Sequence, residues 1–313
     1  MGELTFPLVV CLMGPTASGK TALAVALAKR LPCEIVNVDS SQIYRHLDIG
    51  SGKPALSIRE KVPHHLMDFL SPHCQYSAAQ FQKDALQVIA EIQERGNLPL
   101  LVGGTMLYFK ALQEGLAPVP PTSSKVRQHV ESWVAEVGLE RAYQKLQVVD
   151  ALSAQRFFPS DRQRVQRALE VYEITGRPLS FWLQQPPVPS PLYHFLNIGL
   201  LSLTTVRAVL HQRIEQRFDE MLTSGLVEEV RQLLTYLPAD AACLRAVGYR
   251  QVGDYLAGKE DYEAMRAKAI AATRQLAKRQ LTWLRHWPHL FSFDFLDPDL
   301  VSKIEYLLKG IKL

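Results

Sequence analysis

The chain has 313 residues, 47% hydrophobic and 21% charged, with a net charge of +4. That balance excludes disordered and collagen-like classes, and the length suits two domains or one domain with a large insertion. The small positive excess permits a polyanionic partner without demanding one. The four cysteines, Cys11, Cys33, Cys74 and Cys243, contain no C-x-x-C pair. They point away from a zinc site or a disulfide framework and toward a reducing, cytoplasmic setting. No leader pattern opens the chain and no apolar stretch approaches a membrane span, so no membrane partner is expected.

The first elements carry the strongest signal. Leu8 to Met13 is a short apolar run that reads as a buried parallel strand. Gly14-Pro15-Thr16-Ala17-Ser18-Gly19-Lys20-Thr21 then fits G-x-x-x-x-G-K-[ST], the P-loop. In such a loop backbone N–H groups turn toward phosphate oxygens, the lysine reaches a diphosphate, and the hydroxyl of the last residue, here Thr21, ligates Mg²⁺. Thr21 to Leu31 is Ala/Leu-rich and stops at Pro32, as a helix should, with its positive end at the same anion. The motif specifies a diphosphate; it specifies neither ATP nor hydrolysis.

Glu34 to Val38 is a second strand candidate, ending in Asp39-Ser40-Ser41-Gln42. Ligands of open α/β sheets sit at the carboxyl ends of strands, which puts Asp39 on the P-loop edge. An Asp there can be a base, a helix cap or a Mg²⁺ anchor, and the spacing leaves these open. The pair His64-His65 lacks a Cys or third His at ligand spacing, so buried, hydrogen-bonded histidines are expected in place of a metal site. Ser77 caps a helix that runs to about Arg95, with Phe81, Ala85, Val88, Ile89 and Ile92 on its apolar face. Leu98 to Val102 is a third strand, followed by Gly103-Gly104-Thr105 and a helix from Met106 to Gln113.

From Thr122 to Trp182 the pattern is helical throughout. Lys125 and Arg127 open this stretch, and Gln163-Arg164-Val165-Gln166-Arg167 places Arg164 and Arg167 on one helix face. Arginine and glutamine read phosphates and base edges, although such a run can equally be a solvated surface. A Pro-rich linker, Pro186 to Pro191, leads to a fourth strand at Phe195 to Leu200 and a helix from Val206 to Leu222. Arg213 and Arg217 on that helix could each clamp a diphosphate or pair with Asp219 or Glu220. A final long helix covers Tyr262 to Trp287, with Arg274, Lys278 and Arg285 on one face, flanked by Arg279, and Leu276, Trp283 and Trp287 nearly opposite. The fold expected is α/β: a P-loop NTPase-like parallel sheet flanked by helices, spanning 1–117 and 192–313, with an all-helical insertion domain at 118–191.

Taken together, these segments resemble the bacterial tRNA dimethylallyltransferase family, also called tRNA isopentenyltransferase. The resemblance rests on Gly14 to Thr21; Val38-Asp39-Ser40; Tyr44 with Asp48-Ile49-Gly50; Pro63-His64-His65; and Leu101-Val102-Gly103-Gly104-Thr105. It continues through Arg213-Ile214 with Arg217, Ala246-Val247-Gly248-Tyr249, and Thr273-Arg274-Gln275-Leu276-Ala277-Lys278-Arg279-Gln280 with Thr282-Trp283. The C-terminal zinc finger of the eukaryotic branch is missing from the pattern. The resemblance implies transfer of a dimethylallyl group from dimethylallyl diphosphate to the exocyclic 6-amino group of the adenosine 3′-adjacent to a tRNA anticodon. The P-loop would then hold the diphosphate with Mg²⁺, Asp39 would be the base, Arg217 before Arg213 the diphosphate clamp, and Thr105 a substrate or Asp39 contact. It also implies an RNA surface made of Asp39, Ser40, Ser41, Gln42, Thr105, Arg127, Gln163, Arg164, Val165, Gln166, Arg167, Cys243, Leu244, Arg245, Ala246, Val247, Gly248, Arg274, Lys278 and Arg279, gripping the anticodon stem-loop of a tRNA. A monomer is expected. Two other readings share the P-loop: an adenylate isopentenyltransferase acting on free nucleotides, which needs neither the insertion nor the basic helix, and a P-loop NTPase or kinase, for which a second apolar strand ending in Asp is lacking.

Overall fold

The computed structural model describes residues 6–187, 193–201 and 207–311. The chain divides into two compact units, Met1–Gln113 with Pro191–Leu313, and Glu114–Ser190. The first unit is built on six parallel strands: β1 (Leu8–Met13), β2 (Cys33–Val38), β3 (His64–His65), β4 (Leu98–Gly103), β5 (His194–Leu200) and β6 (Leu290–Phe293). Their order across the sheet is β3-β2-β4-β1-β5-β6. Every residue of β1, β2 and β4 is buried, which is why these runs are almost continuously apolar: parallel strands are covered on both faces.

The period-2 alternation of β1 sorts its side chains into two cores. Val10 and Leu12 join Leu23 and Leu27 of α1 (Lys20–Ala28) on one face of the sheet. Val9, Cys11 and Met13 meet Phe81, Ile89 and Phe109 on the other. These come from α3 (Ala78–Glu94) and α4 (Met106–Glu114), which follow the short α2 (Leu56–Arg59). Ser77 caps α3 by accepting from the Gln80 N–H at 3.1 Å. Of the apolar face expected on α3, Phe81, Ala85, Ile89 and Ile92 are buried and Val88 is half-buried. The second half of this unit adds α10 (Arg207–Thr223), α11 (Leu226–Leu234), α12 (Tyr249–Leu256), α13 (Tyr262–Arg285) and α14 (Leu300–Gly310). Val206 and part of the 186–191 linker lie outside the described residues. Two strands carried no usable sequence signal: β3 has two residues, and β6 has four with none of them fully buried.

The register decides where chemistry can occur. Met13 and Val38 both pair with Gly103, and Met13 also pairs with Gly199. Gly14, Asp39 and Gly104 therefore leave the sheet side by side, at the carboxyl edge where α/β folds bind ligands.

The second unit is helical: α5 (Ser124–Val137), α6 (Leu139–Val149), α7 (Ala151–Arg156), α8 (Arg162–Thr175) and α9 (Leu179–Leu183). Its core is Val130, Val134, Ala142, Leu146, Val165, Ala168, Leu169 and Val171 with their neighbours. Ser123, Asp150 and Asp161 cap three of these helices with their side chains.

The two histidines are hydrogen-bonded: a ring nitrogen of His64 to the Val62 carbonyl at 2.7 Å, and His65 Nε2 to Glu34 at 2.6 Å. Glu34, buried on β2, also accepts from Arg95 at 2.8 and 2.9 Å and from Asn97 at 2.8 Å. The Arg95 hydrogen bond, helped by Asn97 and His65 and opposed by burial, holds the Glu34 carboxyl down at about 2, below its ordinary 4.5. A depressed carboxyl stabilises the fold above its unfolded value and loses that contribution as pH falls through the folded one. Urea titrations at a series of pH values should therefore show wild-type stability falling between about pH 5 and pH 2 more steeply than that of Glu34→Gln. Equal slopes would remove Glu34 as an acid-sensitive tie.

Candidate active site

At the carboxyl edge of the sheet lies a cavity of about 480 Å³. From the P-loop it is lined by Thr16, Ala17, Lys20 and Thr21; from the end of β2 by Asp39, Ser40, Ser41 and Gln42; after β4 by Gly103, Gly104 and Thr105. Arg217 of α10, Arg245 to Gly248, and Arg279 and Gln280 of α13 add further polar lining. Met221, Leu276, Leu107 and Trp283 add apolar wall, and Trp283 is 40% exposed.

Two half-buried cations face this space. Lys20 Nζ donates to the Pro15 carbonyl at 2.6 Å. Burial first, and the Arg217 charge second, bring Lys20 down to about 7, with Asp39 pulling the other way. Burial likewise lowers Arg217, offset by Asp39 and Glu220. Asp39 is the sole carboxylate among the described lining residues. An excess of half-buried positive charge, beside helix N–H groups that have no intrahelical acceptor, makes the cavity electrostatically favourable for an anion.

Asp39 is held by its own turn. Its Oδ1 accepts from the Ser41 N–H at 2.8 Å, the Ser41 hydroxyl at 2.6 Å and the Gln42 N–H at 3.3 Å. Oδ2 takes no hydrogen bond from the described residues and remains for a ligand. The Thr105 hydroxyl accepts from the Ser40 N–H at 3.1 Å, so Thr105 clips the Asp39 turn to the end of β4.

Arg217 and Arg213 part company. Arg213 lies over the Phe295 ring, 5.3 Å from its centre, whereas Arg217 lines the cavity. Gly52 makes room for Arg217: a Cβ there would come within 1.8 Å of Nη2, and its φ of +64° already favours glycine. That loop is fixed by Glu229, whose carboxylate accepts from the N–H groups of Asp48, Ile49 and Gly50 at 2.7 to 3.1 Å and from the Tyr249 hydroxyl at 2.7 Å. This accounts for the fixed pattern around Asp48 to Gly50, which carried no chemical reading in the sequence.

Several expected contacts come out differently. Val165 is fully buried in the helical unit, and Cys243 and Leu244 are 2% and 4% exposed in the main core. Apolar packing holds all three side chains inside the protein. Arg167 turns back onto Thr122, the Pro120 carbonyl and Glu170. Arg274 is half-buried and paired with Glu215 at 3.1 Å, so it leaves the basic face of α13, where Lys278, Arg279 and Arg285 are exposed. Gln163 and Arg164 are exposed on α8, with Arg164 beside its cap Asp161 at 3.3 Å; Arg127 and Gln166 are half-buried. The packed stripe of α13 is Ala277, Gln280, Leu284 and the following Trp287, not Leu276 and Trp283. A cavity accepts apolar side chains as readily as a core does, so a helical wheel alone cannot separate the two faces. Gln280 is the residue that sequence reasoning gave no role; it stood in the motif that carries the resemblance, a polar residue in register with Ala277 and Leu284.

Fold and site together define a P-loop α/β protein whose cavity sets cationic side chains beside an apolar wall. A sequence model of the family described as IPP transferase matches residues 42–287, and the chain belongs to that family. It is 50% identical to a tRNA dimethylallyltransferase of Coxiella burnetii over 97% of this chain and 98% of that one. It is 51% identical to a tRNA dimethylallyltransferase of Legionella pneumophila, over 96% and 97%. Among solved structures it resembles the full-length tRNA isopentenylpyrophosphate transferase of Bacillus halodurans, with TM-score 0.71, 36% identity and coverage of 98% and 97%. It also resembles a eukaryotic dimethylallyltransferase captured acting on tRNA, with TM-score 0.76, 26% identity and coverage of 96% and 78%. Among the described residues no helix is long and apolar enough to cross a membrane.

The charge state of Lys20 gives a direct test. Near 7 it is largely neutral at pH 8 in the free protein, and an anion beside it restores the ammonium. Calorimetry of diphosphate binding, in buffers of different ionisation heat, should show uptake approaching one proton at about pH 8 and fading below about pH 6. Lys20→Arg, which stays charged, should lose that component. Equal uptake by both proteins would mean that Lys20 is already ionised.

Proposed function

We propose that the chain transfers a dimethylallyl group from dimethylallyl diphosphate to the exocyclic 6-amino group of the adenosine 3′-adjacent to the tRNA anticodon, releasing diphosphate. The observation that carries this reading is the pairing, in one cavity, of two half-buried cations with an apolar wall: an anion bearing a short apolar tail satisfies both. The names of the relatives supply the acceptor, a tRNA.

Negative charge builds on diphosphate as the allylic C–O bond breaks. Lys20, Arg217 and the N–H groups opening α1 lie where that charge would develop and need little reorganisation to meet it. Thr21 offers a hard hydroxyl oxygen to the same cavity, and the described residues hold no cluster of three or more His, Cys, Asp or Glu. That donor set fits a Mg²⁺ held mainly by diphosphate oxygens and water, an ion that would neutralise charge on the leaving group. The amine is a poor nucleophile because its lone pair is delocalised into the ring. Asp39 Oδ2 is the group that would take its proton, with Oδ1 anchored by Ser41 and Gln42.

A stacked anticodon-loop base must be flipped out to reach such a cavity. Lys278, Arg279 and Arg285 on α13 are the exposed cations of the main unit proposed to hold the RNA backbone, with Lys125, Gln163 and Arg164 as candidates on the helical unit. The protein is proposed to act as a cytoplasmic monomer.

The test offers radiolabelled dimethylallyl diphosphate and Mg²⁺ with unmodified tRNA in one reaction and AMP or ATP in another. Label in tRNA alone is expected; label in the free nucleotide would make this an adenylate isopentenyltransferase. Asp39→Asn should lower kcat by about 10²–10⁴ while leaving tRNA affinity nearly unchanged; an unchanged kcat would remove Asp39 as the base. Lys278→Ala should weaken tRNA binding and reduce the slope of log affinity against log salt by roughly one. A slope equal to wild type would mean that Lys278 touches no phosphate.

A further inference from the structure

The phosphate loop and the Gly103-Gly104-Thr105 turn leave neighbouring strands, yet backbone pairing between those strands ends at Met13 and Gly103. Gln280 of α13 bridges the gap beyond. Its Oε1 accepts from the Thr16 N–H at 2.9 Å, and its Nε2 donates to the Gly104 carbonyl at 2.9 Å. The residue is 7% exposed, so both halves of a neutral amide are committed inside the protein. Gly104 shows how close the fit is. Its φ is not positive, but a Cβ there would stand 2.2 Å from Gln280 Nε2. The glycine is required by the approach of Gln280 and not by its own backbone.

The link continues one residue further. Thr105 accepts from the Ser40 N–H, and Ser40 follows Asp39. A single amide thus joins the loop proposed to hold the leaving diphosphate to the turn that fixes the proposed base.

We infer that Gln280 is a positioning residue: it sets the separation between the phosphate loop and the Asp39–Thr105 pair, and so keeps the leaving-group and acceptor ends of the reaction in register. This rests on the reaction proposed above. Its two hydrogen bonds make separable demands. Gln280→Glu keeps an acceptor for the Thr16 N–H but sets a second acceptor against the Gly104 carbonyl. Gln280→Leu removes both bonds at similar size. Gly104→Ala drives Nε2 away while leaving Gln280 in the chain.

The experiment measures kcat and KM for dimethylallyl diphosphate, affinity for inorganic diphosphate by calorimetry, and melting temperature for wild type, Gln280→Glu, Gln280→Leu, Gly104→Ala and the Gly104→Ala/Gln280→Leu double variant. Gln280→Glu should keep diphosphate affinity within about threefold while kcat falls about tenfold to a hundredfold, the scale of misplacing reacting groups by an ångström. Gln280→Leu should lose both. Gly104→Ala should resemble Gln280→Glu, and the double variant should be no worse than Gln280→Leu, because both changes break one contact. Unchanged kcat in Gln280→Glu and Gly104→Ala, with only melting temperature lowered, would overturn the inference, as would losses at 104 and 280 that add. If Gln280→Leu fails to fold, the Gln280→Glu and Gly104→Ala results decide it alone. Wild-type protein that binds diphosphate but transfers nothing to tRNA would instead overturn the proposed reaction.

Discussion

Lys20 and Arg217 share one cavity, half-buried, with Asp39 the sole carboxylate among its described lining residues, and much of the surrounding structure holds them there. Like charges in a poorly solvated space repel, and each is costly to bury without a partner. The fold meets this cost with fixed dipoles. The Pro15 carbonyl accepts from Lys20, Asp39 acts on both cations, and the absence of a Cβ at Gly52 leaves room for the Arg217 guanidinium. Glu229 in turn ties down the loop bearing Gly52 through three backbone N–H groups and Tyr249. Two cations held close together favour an anion between them, which is the electrostatic condition that the proposed diphosphate leaving group requires.

The parts of this arrangement legible in the sequence were those with a local pattern. A continuous apolar run, a Gly-rich loop and an Ala/Leu helix announce β1, the P-loop and α1 within about two dozen residues, because their physics is local. Asp39 was legible through topology: it ends a strand in a fold whose ligands sit at strand ends. The rest depends on contacts far apart in the chain. Nothing near Arg213 or Arg217 distinguishes them; Phe295 claims one and Gly52 admits the other. Arg167 and Arg274 read as free cations because their partners, Thr122 and Glu215, are distant in sequence. Val165, Cys243 and Leu244 entered the RNA surface by their neighbours' chemistry, and their own side chains are core. The strands β3 and β6 were invisible because two to four residues hold no periodicity.

Helix α13 shows why periodicity misled there. A helix with one apolar stripe buries it, but α13 has three environments along its length. Ala277 and Leu284 pack into the core, Thr273, Leu276 and Trp283 border the cavity, and Lys278, Arg279 and Arg285 face solvent. A wheel that divides residues into apolar and basic merges the first two sets and so assigns Trp283 to packing. At 40% exposure on a cavity rim, Trp283 offers an aromatic face to whatever enters, a different role from filling a core.

The same helix also explains how one protein can serve two unlike substrates. Lys278 and Arg279 precede Gln280 directly, so the surface proposed for RNA and the amide that braces the phosphate loop lie within a single turn. A helix is stiff on this scale, and a shift of its axis under a bound polyanion moves Gln280 with it. Thr16 and Gly104 would follow, since each is bonded to that side chain, and Thr105 would carry the motion to the Asp39 turn. The phosphate loop, the proposed base and the cations proposed to face RNA are thus attached to one rigid element. A side chain in register with the core but bonded to two backbones is what that attachment requires: an apolar residue at 280 would pack, and would leave the phosphate loop and the Gly104 turn to find their spacing independently.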